Sequence, residues 1–251
     1  MIPVLLSIIV ATVVVSLMSL VGLALAGRHM HRWLHYLISF AAGTLLAVAF
    51  FGLMPSAMHG FEELGLHAPE ALVYVVAGIV LFFLIERFIH WHHCGKEDCG
   101  DKPAGLLVLT GDFVHNFIDG VLIAGAFLLD PQAGWMATLS ILAHEIPQEV
   151  GDFSVLLHAG FSKARALLLN FYSALSAVLG GVIGYFALDA VEGVVPYVVA
   201  VAAGGFVYIA LSDIMPALHK HKKETKLMVV ETLIFLVTVV AFWFLLSGHA
   251  H

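Results

Sequence analysis

Two polar stretches decide how this sequence folds: DFVHNFID at residues 112–119 and HEIPQEVGDF at residues 144–153. Each lies inside a long apolar run, and in each the polar side chains recur at the spacing i, i+3, i+4, i+7. At 100° per residue, those positions fall within an arc of about 100° on one face of a helix. The first set is Asp112, His115, Asn116 and Asp119; the second is Glu145, Gln148, Glu149 and Asp152, with His144 just before it. The sequence therefore predicts two helices, each with one polar face at its middle.

The rest of the chain has the composition of a membrane protein. Of its 251 residues, 61% are apolar and 12% are charged, and the mean hydropathy is +1.00. A soluble domain averages about 45–50% apolar and about 25% charged residues. Because a spanning helix needs roughly 20 apolar residues, polar punctuation leaves eight segments that can each cross as a helix, near 2–26, 34–57, 71–91, 104–129, 134–158, 165–188, 194–218 and 227–247. We predict an all-α membrane protein with eight transmembrane helices, forming a single transporter domain over residues 1–251.

The basic residues predict how the chain is oriented. All 11 Lys and Arg residues fall in or beside the connections between segments one and two, three and four, five and six, and seven and eight. These connections share one side of an eight-span protein, and the positive-inside rule places that side in the cytoplasm. We therefore expect a multi-pass protein of the cell membrane with both termini outside the cytoplasm. The net charge of −7 offers no basic face to phosphates, which excludes nucleic-acid binding.

Segments two and seven share a pattern at a constant offset of 161 residues. Ala41, Ala42, Gly43, Ala49, Met54 and Pro55 recur as Ala202, Ala203, Gly204, Ala210, Met215 and Pro216. Since segment two runs outward and segment seven runs inward, a true repeat would be inverted. Inverted repeats are typical of transporters, with sites near the bilayer midplane. We predict that helices 1–3 and 6–8 form an inverted repeat around helices 4 and 5.

The acids in segments four and five indicate a bound cation. A central Asp costs about 2.5–3.5 kcal/mol to insert, and neither segment has a central Lys or Arg to pair with it. A divalent metal supplies the missing charge, since imidazole favours zinc and other transition metals while carboxylate and amide oxygens also accept harder ions. His115 and Asp119 are one helical turn apart, as are Glu145 and Glu149, so ligands can converge from both helices.

Several other residues carry weaker predictions. Asp213 in segment seven is either an additional cation ligand or an interfacial cap. Segment six places Asn170, Ser173 and Ser176 where we expect hydrogen bonds between helices. Residues 92–103 form a cytoplasmic loop with His92, His93, Cys94 and Cys99, which either collects metal transiently or is merely solvated.

HNFIDG at 115–120 and HEIPQEVGDF at 144–153 resemble the signature helices four and five of the ZIP (Zrt-/Irt-like protein) metal transporters. The second stretch is closest to the branch whose helix five reads HEIPHEVGDF. The resemblance implies that divalent metal ions, typically zinc, move toward the cytoplasm as substrate, with Fe²⁺, Mn²⁺ and Cd²⁺ as further candidates and no enzymatic cofactor. It also implies a homodimer, and one helix bundle sliding against another.

The ligands that the resemblance implies are His115, Asn116 and Asp119 on helix four, His144, Glu145 and Gln148 on helix five, and Asp213 on helix seven. Two departures stand out. Position 148 is usually Glu or His in the family, and helix two has Val48 and Gly52 where the close branch tends to carry an Asp and a His.

Two other functions remain as alternatives. In an intramembrane zinc metalloprotease, H-E-x-x-H holds zinc between two histidines while Glu acts as general base, but here Gln148 occupies the second His position and Pro147 interrupts the helix. A metal sensor would bind zinc without moving it across the membrane.

Overall fold

A computed structural model describes residues 2–24, 30–93, 101–191, 193–219 and 225–247. Throughout these ranges the regular structure is helical, with no strand. The α-helices are α1 (Ile2–Ala24), α2 (Met30–Val48), α3 (Met54–Glu63), α4 (Ala71–His93), α5 (Asp101–Leu129), α6 (Pro131–His158), α7 (Lys163–Ala174), α8 (Ser176–Asp189), α9 (Val195–Ile209), α10 (Met215–His219) and α11 (Thr225–Ser247). The prediction of an all-α membrane protein is confirmed.

Three of the apolar segments are built from two helices in line: α2 with α3, α7 with α8, and α9 with α10. Within the described ranges, seven segments are long and apolar enough to cross a membrane. The helix left out is α6, whose polar side chains make it less apolar than the others. Its 28 residues extend about 42 Å at 1.5 Å per residue, so length does not prevent it from crossing. That α6 is an eighth span stays a prediction.

Two π-helical turns interrupt the in-line pairs, Ala49–Leu53 between α2 and α3 and Ala210–Ile214 between α9 and α10. Each is followed by a Met-Pro pair, at Pro55 and Pro216. A proline has no N–H to donate and its ring crowds the carbonyl four residues earlier, so the turn before it widens. The two π turns are separated by the same 161 residues as the sequence pattern.

Glycines allow two pairs of helices to approach closely. A Cβ added to Gly120 on α5 would lie 2.0 Å from the carbonyl oxygen of Ala177 on α8, and one added to Gly204 on α9 would lie 2.0 Å from that of Val75 on α4. Small residues at such crossings bring backbones together and are a common means of helix association in lipid. These crossings fix α5 against α8 and α9 against α4.

The helices form two bundles. Bundle A contains α1, α5, α6, α7 and α8, and bundle B contains α2, α3, α4, α9, α10 and α11. The bundles meet where α6 packs against α2 and where α5 packs against α9. Fully buried side chains fill this junction, among them Leu45, Ile123, Ile141 and Phe206. The polar faces of α5 and α6 lie next to this core.

Candidate metal centre

The polar faces of α5 and α6 meet in the interior of bundle A. Four side chains, which we call the histidine group, bring one ligand atom each to a common point: His115, Asp119, His144 and Glu145. Two of them come from each helix, one turn apart or in sequence. The convergence that the spacing predicted is therefore present for these four residues.

The distances within the histidine group match those around a metal ion. The two Nε2 atoms of His115 and His144 lie 3.3 Å apart. The Oδ2 atom of Asp119 is 3.4 Å from His144 Nε2 and 3.7 Å from His115 Nε2, and the Oε1 atom of Glu145 is 3.5 Å and 3.8 Å from His115 Nε2 and His144 Nε2. Four tetrahedral ligands at about 2.0–2.1 Å from zinc lie about 3.3 Å from one another. A zinc-sized cation fits with only small side-chain shifts.

The backbone fixes which nitrogen of His144 faces the group. Its Nδ1 atom lies 3.0 Å from the carbonyl oxygen of Ser140, and a carbonyl can only accept. Nδ1 therefore carries the proton, and Nε2 presents a lone pair to the other three ligands. A metal-binding histidine is commonly held in this way by a backbone carbonyl.

A second set of ligand atoms, the carboxylate group, is formed by Asp112, Glu145 and Glu149. All three residues are buried, at 3%, 1% and 2% exposure. Glu145 belongs to both groups, so the two are contiguous. Asn116 Nδ2 donates to Asp112 Oδ1 at 2.8 Å, and Asn170 Nδ2 donates to Glu149 Oε2 at 2.5 Å.

The buried oxygens of this region lack donors. Hydrogen-bond partners are missing for one or both side-chain oxygens of six buried residues: Asp112, Asn116, Asp119, Glu145, Glu149 and Asn170. Leaving a buried acceptor unpaired costs about 1–3 kcal/mol. No Lys or Arg occurs between residues 103 and 162, so neither helix offers a cationic side chain here. The donor set suits a metal ion, which accepts lone pairs from oxygen and nitrogen alike.

The comparison with known families agrees with this chemistry. The family model described as ZIP Zinc transporter matches residues 2–104 and 92–246, which together cover nearly the whole chain. The chain belongs to the ZIP family. It is 38% identical over 200 residues to zinc transporter ZIP13 of Pongo abelii, covering 74% of this chain and 58% of that protein.

Two further relatives show the same extent of similarity. Human zinc transporter ZIP13 is 31% identical over 237 residues, covering 74% of this chain and 63% of that protein. Zinc transporter zipt-7.1 of Caenorhabditis briggsae is 28% identical over 272 residues, covering 82% of this chain and 69% of that protein. This ZIP chain thus spans between about half and two thirds of these relatives' length.

The remaining ligands that the ZIP resemblance implied are placed less completely. Asn116 is fully buried and contacts Asp112, and Gln148 is half-buried on α6. The backbone of Asp213 lies in the π turn Ala210–Ile214, but its side chain lies outside the described part of the structure. The same holds for the His/Cys loop, since residues 94–100 and the flanking side chains are not described.

Two residues of the site were not among the predicted ligands. Asp112 was recognised as part of the polar face of α5, and its membership in the carboxylate group follows from the rotation of α5 about its axis. Asn170 was expected to bond between helices, and it does so by donating to Glu149. Ser173 and Ser176 likewise donate to the carbonyls of Leu109 and Phe113 on α5.

Proposed function

We propose that this protein carries divalent metal ions, zinc first, across a membrane toward the cytoplasm. The observation that carries the proposal is the histidine group, in which two imidazole nitrogens and two carboxylate oxygens lie 3.3–3.8 Å apart along the measured pairs inside a lipid-embedded bundle. A zinc ion bound by these four side chains offsets the cost of burying their charge. Membership of a family of zinc transporters supports the same function.

Other ions suit the same ligands. Mixed imidazole and carboxylate sites bind Fe²⁺, Mn²⁺ and Cd²⁺ as well as Zn²⁺. Asn116, Gln148, Glu149 and Asp213 complete the proposed ligand set as the ion moves, and α6 crosses the membrane as an eighth span beside α5. The branch with a HEIPHE-type helix five is the proposed subgroup, with Gln148 as its departure.

We propose further that α1–α4 and α7–α11 are inverted repeats around α5 and α6. Both π turns lie at the repeat offset, and the packing exchanges accordingly. The contact of α4 with α9 corresponds to that of α11 with α2, and the contact of α5 with α8 corresponds to that of α6 with α1. Such symmetry favours a motion in which bundle A slides against bundle B, and a homodimer would anchor one of them.

The decisive experiment is metal flux into sealed vesicles that contain the purified protein. Uptake of radioactive zinc is expected to fall at least tenfold in His115→Ala and Asp119→Ala, because each removes one of four ligands. His67→Ala, which changes an exposed histidine in the loop before α4, is the matched control and keeps the wild-type rate. Equal uptake by all four proteins would contradict the assigned site, and zinc binding without flux would favour the sensor.

The metalloprotease alternative gains no support from the family comparison. Peptide hydrolysis by the zinc-loaded protein in detergent, absent in Glu145→Gln, would revive it.

The proposed orientation has its own test. In a protein whose Cys94 and Cys99 are replaced by Ser, Glu62→Cys at the end of α3 should react with an impermeant maleimide on intact cells, whereas Lys226→Cys at the start of α11 should not. The reverse labelling pattern would place the termini in the cytoplasm.

A further inference from the structure

Glu145 stands between two differently composed sets of ligands. On one side are the imidazoles of His115 and His144 with Asp119; on the other are only the carboxylates of Asp112 and Glu149. Asp112 precedes His115 by one turn of α5, and Glu149 follows Glu145 by one turn of α6. Because the two helices run in opposite directions, both displacements point toward the same end, the one proposed to face the cytoplasm.

The carboxylates of this second set are held in place with one oxygen each left free. Asn116 Nδ2 occupies Asp112 Oδ1, and Asn170 Nδ2 occupies Glu149 Oε2. The other oxygens, Asp112 Oδ2 and Glu149 Oε1, have no donor and are shielded from solvent. Each amide therefore orients a carboxylate and leaves its second oxygen for another partner.

We propose that Asp112, Glu145 and Glu149 form a second cation position, made of oxygen only, which receives the divalent ion from the histidine group. The passage of the ion rests on the proposed transport function, whereas the binding position does not. Asn116 and Asn170 are positioning residues there, because each holds one of the carboxylates.

The composition of the two positions gives the passage a direction. Imidazole nitrogen binds zinc well, while an all-oxygen set suits harder ions and holds zinc less tightly. Glu145 can keep one oxygen on the ion while the imidazoles release it and the next carboxylates bind, so the ion is never bare. One helical turn, about 5.4 Å, separates the positions. A second cation arriving at that distance repels the first, which favours release.

The binding position is tested with Mn²⁺, whose paramagnetism reports its ligands. A His115→Ala/His144→Ala protein in lipid nanodiscs is expected to bind one Mn²⁺ per chain, without the nitrogen modulation that imidazole ligands give in electron spin-echo spectra. Adding Asp112→Asn or Glu149→Gln should weaken this binding at least tenfold. Adding Glu231→Gln, which changes a carboxylate that is equally buried on α11, is the control and should leave the binding unchanged.

A second arm keeps the histidines and serves where the double variant does not fold. Asp112→Asn and Glu149→Gln are expected to retain tight zinc binding at the histidine group while zinc flux falls at least tenfold. A folded double variant that binds no Mn²⁺ would overturn the second position, as would wild-type flux in both single variants. Mn²⁺ binding in the double variant without any flux by the wild-type protein would instead contradict the transport function alone.

Discussion

The Nε2 atom of His115 on α5 lies 3.3 Å from the Nε2 atom of His144 on α6. Since Nδ1 of His144 donates to the carbonyl of Ser140, its Nε2 atom presents a lone pair. The two rings are nearly perpendicular, at 88°, so neither stacks on the other. The distance is also that of two ligands on one tetrahedral metal ion. This pair makes the meeting of α5 and α6 a binding site rather than a packing contact.

Zinc should stabilise the protein through this site. A ligand that binds only the folded state at about 100 times its dissociation constant adds about 2.7 kcal/mol. The apparent Tm in detergent is therefore expected to rise with zinc and return with EDTA. Asp119→Asn should abolish most of the rise, because the amide is a weaker and neutral ligand. Glu86→Gln on α4 is the control, and an equal rise in both variants would contradict a role of Asp119.

The hydrogen bond from Asn170 to Glu149 should contribute to stability. Asn170→Leu keeps the side-chain size but leaves buried oxygens of Glu149 without a donor, which costs about 1–3 kcal/mol. We expect a lower apparent Tm in zinc-free detergent. Tyr172→Leu changes an exposed residue on the same helix and should leave the Tm within error. If both variants melt alike, Asn170 has no such role.

Two glycine substitutions should have opposite effects. In Gly120→Ala the new Cβ meets the Ala177 carbonyl at 2.0 Å, so α5 and α8 must separate, and overpacking typically costs about 1–3 kcal/mol. Gly151→Ala on α6 meets nothing within 4 Å and should gain up to about 1 kcal/mol from helix propensity. Thermal unfolding of the two variants compares them directly. A neutral Gly120→Ala would mean that the α5–α8 crossing is looser than described.

The start of α6 depends on an N-cap. Asp130 Oδ2 accepts a hydrogen bond from the Ala133 amide at 2.8 Å, and replacing such a cap by Ala costs about 0.5–2 kcal/mol. Asp130→Ala should lower the apparent Tm, whereas Asp130→Asn should retain the cap and nearly the wild-type Tm. Amide exchange at residues 131–134 offers an independent measurement, expected to be faster only in the Ala variant. Equal exchange in the two would exclude the cap as the cause.

The amino-acid sequence by itself determined the helical membrane architecture and the polar faces of α5 and α6. Both follow from local physics, because apolar runs of this length are soluble only in lipid and residues at helical spacing share one face wherever the helix is placed. The interhelical bonds of Asn170, Ser173 and Ser176 were predicted for the same reason. Their donors have no water to bond in the interior of the membrane.

The tertiary structure alone decided which polar residues meet. Spacing puts Asp112, His115, Asn116 and Asp119 on one face of α5, but it does not say that Asp119 joins the two histidines while Asp112 joins Glu149. That division depends on the rotation and axial offset of α5 against α6. Close contacts far along the chain set both quantities, such as Gly120 against Ala177 on α8, and the sequence near the site contains no trace of them.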